Sequence, residues 1–112
     1  MSKPANYPLN VRIGDTETVT VTMQDASGVA INITGRTYSA QVREKASSSS
    51  ALASFSCSIV NAATGVFACT LPANTTAALS PANAVWDLQE TNGSVVTTLL
   101  AGDVVISRDV TR

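Results

Sequence analysis

The stretch FSCSIVNAATGVFACTL, residues 55–71, decides the fold. Phe55, Cys57 and Ile59 alternate with Ser56 and Ser58. Phe67, Cys69 and Leu71 alternate in turn after the break Asn61-Ala62-Ala63-Thr64-Gly65. Successive side chains of a strand point to opposite faces, so each run has one apolar side. Folding the stretch about Ala63 sets Ile59 opposite Phe67, Cys57 opposite Cys69 and Phe55 opposite Leu71. One hairpin register thus gathers the whole apolar set on one face, and a slip of one residue would scatter it. A bulge at Gly65 would shift the pairing by one.

The same period of two extends in both directions. Leu9, Val11 and Ile13 alternate with Asn10 and Arg12, and Gly14-Asp15 breaks the run. Val19, Val21 and Met23 alternate with Thr18, Thr20 and Thr22. Branching at Cβ suits a pleated strand and crowds a helix. Asp25-Ala26-Ser27-Gly28 reads as a turn, because Asp25 can accept from an amide two residues on and Gly28 tolerates positive φ. Val29, Ile31 and Ile33 are expected to form the return strand, ended by Thr34-Gly35, and Tyr38, Ala40 and Val42 a further one. Residues 44–54, EKASSSSALAS, read as a surface loop, since serines compete for backbone hydrogen bonds.

Beyond the hairpin, residues 72–81, PANTTAALSP, break the period and leave room for one helical turn with Leu79 inward. Residues 85–89 resume a strand with Trp86 and Leu88 on one side. Asn92-Gly93 signals a type I′ hairpin turn, which needs positive φ at both central residues. Residues 95–100 return, Ala101-Gly102 is expected to turn again, and a last strand runs from Val104 to Arg112. About eight strands at roughly 8–12-residue spacing indicate an antiparallel sandwich or barrel. The expected fold is all-β, an antiparallel immunoglobulin-like β-sandwich of about 7–9 strands with Trp86 as core plug. A small jelly roll is the alternative. Residues 1–8, with Pro4 and Pro8, lack alternation and form an extended N-terminal arm, a candidate tether to a neighbour. Residues 9–112 form the single sandwich domain.

Composition excludes several functions. The 112 residues fit one domain of common size. Seven basic residues against eight acidic ones leave little for the basic face that nucleic-acid binding requires. With no histidine, a serine triad and a histidine-ligated zinc site cannot be built from one chain. The start MSKPANYPLN has no apolar run behind its lysine, and no stretch approaches the roughly 20 apolar residues of a membrane span. A soluble protein made in a cytoplasm is the expectation.

Candidate chemistry is sparse. Cys57 and Cys69 lack the neighbouring base or helix N-terminus that lowers a thiol pKa. Buried thiols are the favoured reading. A cross-strand disulfide is geometrically available but needs an oxidising compartment, for which the sequence shows no address. The carboxylates Asp15, Glu17, Asp25, Glu44, Asp87, Glu90, Asp103 and Asp109 read as solvated turn residues. Asp15 and Glu17 point to one side, too few oxygens for calcium. Arg12, Arg36, Arg43, Arg108 and Arg112 outnumber Lys3 and Lys45, a mild sign of an interface. No catalytic, cofactor-binding or metal-ligating residue is assigned, no cofactor is expected, and no ligand-binding residue is specified. Charged residues make up only 13 %, about half the usual share, so strand edges have few charges to guard them. Part of the surface is therefore expected to be covered by other subunits.

The ordered pattern resembles the small β-sandwich domain at the N-terminus of baseplate upper proteins and related tail or fibre-attachment proteins of tailed bacteriophages. The resemblance spans nearly the whole chain. It rests on Arg12-Ile13-Gly14-Asp15-Thr16, then Gln24-Asp25-Ala26-Ser27-Gly28 followed by Ile31, Ile33, Thr34 and Gly35. Gly65, Leu79-Ser80-Pro81, Trp86-Asp87-Leu88-Gln89 and Gly93 continue it, and Thr98-Leu99-Leu100-Ala101-Gly102 and Val110-Thr111-Arg112 complete it. It implies a virion structural protein without enzymatic activity, assembled in the host cytoplasm, docking onto other virion proteins as a homo-oligomer or ring, with no nucleic acid or membrane as partner. Larger members continue into a stalk or receptor-binding region, whereas this sequence stops at Arg112. A stand-alone adaptor of tail, neck or baseplate is thus expected. Capsid decoration is the alternative, and a carbohydrate-binding module a further one, limited by the few aromatics.

Overall fold

The computed structural model describes residues 5–45, 47–48 and 50–108. Along these the chain forms β1 (Ala5–Asn6), β2 (Leu9–Ile13), β3 (Glu17–Thr22), β4 (Thr37–Arg43), β5 (Ala53–Ser54), β6 (Ser56–Asn61), β7 (Val66–Leu71), one helical turn α1 (Ala73–Thr76), β8 (Ala82–Asn92) and β9 (Val95–Arg108). The larger sheet centres on β4, β8 and β9, with β5 beside β4 and both β1 and β2 along β9. The smaller sheet has the order β3-β7-β6. The inward residues of both sheets form one core, including Val11, Val19, Val42, Phe67, Cys69, Leu71, Trp86, Leu88 and Val104.

The fold is an all-β sandwich. Lettering β3, β4, β6, β7, β8 and β9 as strands B to G gives sheets B-E-D and C-F-G, the connectivity of an immunoglobulin-like sandwich rather than the paired Greek keys of a jelly roll. The ladders are antiparallel except at the N-terminus, where β1 and β2 run parallel to β9. The chain changes sheets at Phe55, whose amide donates to Ala40 O at 2.9 Å, just before β6 begins. Phe55 itself is buried beside Trp86, with ring centroids 5.5 Å apart.

The deciding hairpin has the expected register. Cys57 faces Cys69 and Ile59 faces Phe67, while the irregularity falls between Ile59 and Asn61 rather than at Gly65. Gly65 has φ +75°, and a Cβ there would sit 2.6 Å from Ile31 O and 2.7 Å from Met23 O. Asp25 accepts from the amides of Ser27 and Val29, so its turn has the expected form. Leu79 packs against the core behind α1.

Four expectations are corrected. Residues 29–33 form no strand. Ala30 makes a single bridge to Gln24, Ile31 N donates to Met23 O, and Ile33 N donates to Ala62 O. These bonds go to loop carbonyls, so only Ile33 is fully buried, while Val29 is exposed. The β8–β9 turn is shifted by one residue: Asn92 pairs with Val95. Gly93 (φ +63°) is then the first central residue, and among the described residues no non-glycine has positive φ, so Gly93-Ser94 has the sign pattern of a type II′ turn. Ala101-Gly102 is no turn either. Both lie inside β9, opposite Asp87 and Trp86. Residues 5–8 of the expected arm are extended, but they lie on the chain's own β9. Ala5 pairs with Leu100, and Tyr7 N donates to Ala101 O at 2.9 Å. Residues 1–4 of that arm, Ser49 of the serine run and the end of the last strand at Val110-Thr111-Arg112 lie outside the described residues.

Candidate interaction surfaces and the polar groups behind them

The outer face of the smaller sheet follows from the Val/Thr alternation. With Val19 inward, Thr18, Thr20 and Thr22 point outward and are exposed. Register then aligns Thr18 with Thr70 and Ser56, and Thr20 with Ala68 and Ser58. Thr18 and Thr70 share a hydroxyl–hydroxyl hydrogen bond of 3.3 Å. These rows contain no charged side chain. They end at β6, whose six residues, SCSIVN, carry neither charge nor proline and expose Ile59 and Val60. β6 pairs only with β7 among the described strands.

The outer face of the larger sheet is different. Ser39, Gln41 and Arg43 of β4 lie beside Asp87 and Gln89 of β8, lining a shallow polar depression of about 200 Å³. Arg43 is committed locally, with Nη1 donating to Ser48 O and Nη2 to Gln41 Oε1.

Glu90 is not the solvated turn residue expected from sequence. Along β8 the inward residues are Ala84, Trp86, Leu88 and Glu90, and Glu90 is only 7 % exposed. Its carboxylate accepts from Tyr38 Oη at 2.8 Å and from Arg36 Nη1 at 3.3 Å. The Tyr38 ring stacks on Phe67 with centroids 3.6 Å apart. Burial, then the Glu90 carboxylate, push the Tyr38 phenol well above its ordinary pKa. A buried carboxylate held by one guanidinium and one phenol is a satisfied structural group. The parity of Trp86, Leu88 and Glu90 was the signal that would have found it.

Thr76 is likewise fully buried. Its Oγ1 accepts from Gly14 N at 3.1 Å and lies 2.7 Å from Asp15 O, to which it donates. α1 thereby clasps the β2–β3 turn. Burial, then the Asp15 charge, raise the Glu17 pKa. Among the described residues, no three His, Cys, Asp or Glu side chains converge as metal ligands.

Beside the β6 edge, Arg36, Thr37, Tyr38, Cys57, Ser58 and Ile59 line a cleft of about 410 Å³. Cys57 and Cys69 are both free thiols, Cys57 half-buried and Cys69 buried. A hydrogen bond from the Cys69 thiol lowers the Cys57 pKa, and the same bond raises that of Cys69.

Aromatic side chains are mostly internal. Trp86 is 3 % exposed, and its Nε1 donates to Tyr7 O at 2.7 Å. Tyr7, edge-on to Trp86, is exposed. The sequence matches no protein-family model and no curated protein.

Proposed function

We propose that this chain is a non-enzymatic structural subunit of a bacteriophage virion, an adaptor or attachment protein of the tail, neck or baseplate that works in several copies. The observation that carries the reading is the uncharged Thr/Ser/Ala face of β3-β7-β6, ending at an unguarded β6 edge. Exposed edges of monomeric proteins are normally blunted by charge, proline or shortness. The biological setting rests on the resemblance of the ordered turn and strand pattern to that of phage baseplate proteins.

The mechanism is mechanical. The sandwich presents its faces and edges to neighbours, and assembly removes uncharged surface from water at about 25 cal/mol per Å² of apolar area, before the costs of association. Repeated weak contacts between identical copies then add through multivalency. Capsid decoration would use the same contacts at another place in the particle. Sugar binding has less support, because Trp86, Phe55 and Phe67 are buried.

Light scattering after size exclusion tests the reading. The purified chain is expected to form a defined multimer, and Val60→Lys, which places a charge on the β6 edge, is expected to shift it towards monomer. A chain that stays monomeric at millimolar concentration and fails to join particles in a whole-particle reconstruction would count against it.

A further inference from the structure

Two thiols sit directly opposite one another across the β6–β7 ladder, at Cys57 and Cys69. Both are free thiols, and their side chains share the inner face of that ladder. They differ in access. Cys69 has no exposed surface, whereas Cys57 is half-buried and lines the cleft between β4 and β6. A reagent arriving through that cleft meets Cys57, which lines it, with the buried Cys69 opposite on the neighbouring strand.

We infer that Cys57 and Cys69 form a thiol–disulfide exchange site, at which Cys57 takes up a small disulfide of the glutathione class and Cys69 closes a cross-strand bond. In the first step the Cys57 thiolate attacks one sulfur of oxidised glutathione. The glutathione S–S bond breaks, one glutathione leaves as a thiolate and takes up a proton, and Cys57 holds the other half as a mixed disulfide. In the second step Cys69 loses its proton and attacks Cys57 Sγ, expelling the second glutathione as a thiol. The two electrons and two protons lost by the protein reside in two glutathione thiols.

The order of attack follows from burial, and the closure from register. Opposed strand residues have Cβ atoms roughly 4.5–5.5 Å apart, while a relaxed disulfide wants about 3.8 Å. The strands must approach slightly, which makes the bond of the strained, readily reduced kind. Closing it ties the exposed edge strand β6 to the central strand β7. The inference is independent of any role in a virion.

Intact mass spectrometry of the full chain incubated with oxidised glutathione tests it. The expected product is lighter by about 2 Da, with no retained glutathione, and reverts on adding reduced glutathione. Cys69→Ala is expected to stop at one glutathione on Cys57, and Cys57→Ser to remain unmodified. Unchanged Trp86 emission verifies that each variant is folded, and the wild-type masses decide the matter if either is not. A wild-type chain that keeps a stable glutathione adduct overturns the inference. So does one that stays reduced where a free dithiol is oxidised, or a folded Cys57→Ser chain that reacts as fast as wild type.

Discussion

Gly102→Ala should peel the N-terminal segment from the sandwich. Gly102 lies mid-strand, paired with Trp86, and needs no unusual backbone angle. What it needs is space: a Cβ would sit 2.5 Å from Tyr7 O, 2.8 Å from Tyr7 C and 3.1 Å from Pro8 N. Non-bonded contacts are comfortable at roughly 3.5 Å or more, so the Tyr7 backbone must retreat by about 1 Å. The Trp86 Nε1–Tyr7 O bond starts at 2.7 Å, and such a retreat breaks it. Trp86 is then left with a buried, unpaired donor, at a cost of about 1–3 kcal/mol. The bond from Tyr7 N to Ala101 O goes with it, about 1 kcal/mol more. Against these stands the ordinary gain of alanine over glycine within a strand, about 0.5–1 kcal/mol. The net expectation is a loss of about 1–3.5 kcal/mol.

Urea unfolding followed by the emission of Trp86, the one tryptophan, reads this directly. A double-mutant cycle isolates the cause. In a chain lacking residues 1–7, Gly102→Ala should be neutral or slightly stabilising, so the coupling should equal or exceed the full-length loss. If the substitution costs as much in the truncated chain as in the full one, the close approach of Tyr7 is not why a glycine stands there. An unchanged urea midpoint for full-length Gly102→Ala would refute the steric reading outright.

Thr76→Val keeps the shape but removes the hydroxyl that serves Gly14 N and Asp15 O, and should cost about 2–4 kcal/mol in the same urea assay. Tyr38→Phe removes one of the donors to the buried Glu90 and should cost about 1–3 kcal/mol, with β-sheet circular dichroism retained. Gly65→Ala combines positive φ with contacts under 3 Å to two carbonyls and should destabilise by several kcal/mol, ~3 or more, as judged by thermal melting. Glu17 has a raised pKa, so the folded state favours its protonated form. The relative stability that Glu17 contributes is complete below the ordinary glutamate range and is lost as pH rises through the raised value. Glu17→Gln should therefore raise the melting temperature at neutral pH, with the gain vanishing in acid.

Where backbone and side chain agreed, the sequence was readable. The 55–71 hairpin was legible because a one-residue slip would take Phe67 and Cys69 off the face they share with Cys57 and Ile59. The Asp25 turn was legible because its hydrogen bonds are local. Misreadings arose where one residue type serves two purposes. Gly102 looked like a turn, but its missing Cβ makes way for the Tyr7 backbone, a contact 95 positions away in sequence. Val29, Ile31 and Ile33 alternate like a strand, yet the carbonyls that meet their amides belong to loops. Asn92-Gly93 located its hairpin correctly and its turn residues one position early, since Gly93-Ser94 suits a type II′ turn as well. Glu90 and Thr76 were missed because a buried polar group is identified by its partners, and Arg36, Tyr38 and Gly14 are remote in sequence. The uncharged face of the smaller sheet was anticipated only as a shortage of charge. Register was required to show that the shortage concentrates on one face.

The four sheet edges are not equivalent, and their differences bear on assembly. At one side of the larger sheet β5 is only two residues long and covers β4 at Gln41 and Val42. At the other side β1 and β2 close along β9, so the chain's own N-terminal segment occupies the positions a neighbour's strand would take. In the smaller sheet β3 begins at Glu17, a carboxylate that a pairing strand would have to desolvate. Among the described edge strands, β6 carries neither charge nor proline, and at its one irregularity Val60 is exposed. Cross-strand pairing adds main-chain hydrogen bonds without demanding a particular side chain, so an unguarded edge suits repeated contact between like subunits. A disulfide between Cys57 and Cys69 would fix β6 on its inner side and leave that outer edge in place. Oxidation would then stiffen β6 without covering it, and the assembly proposed through β6 should survive it.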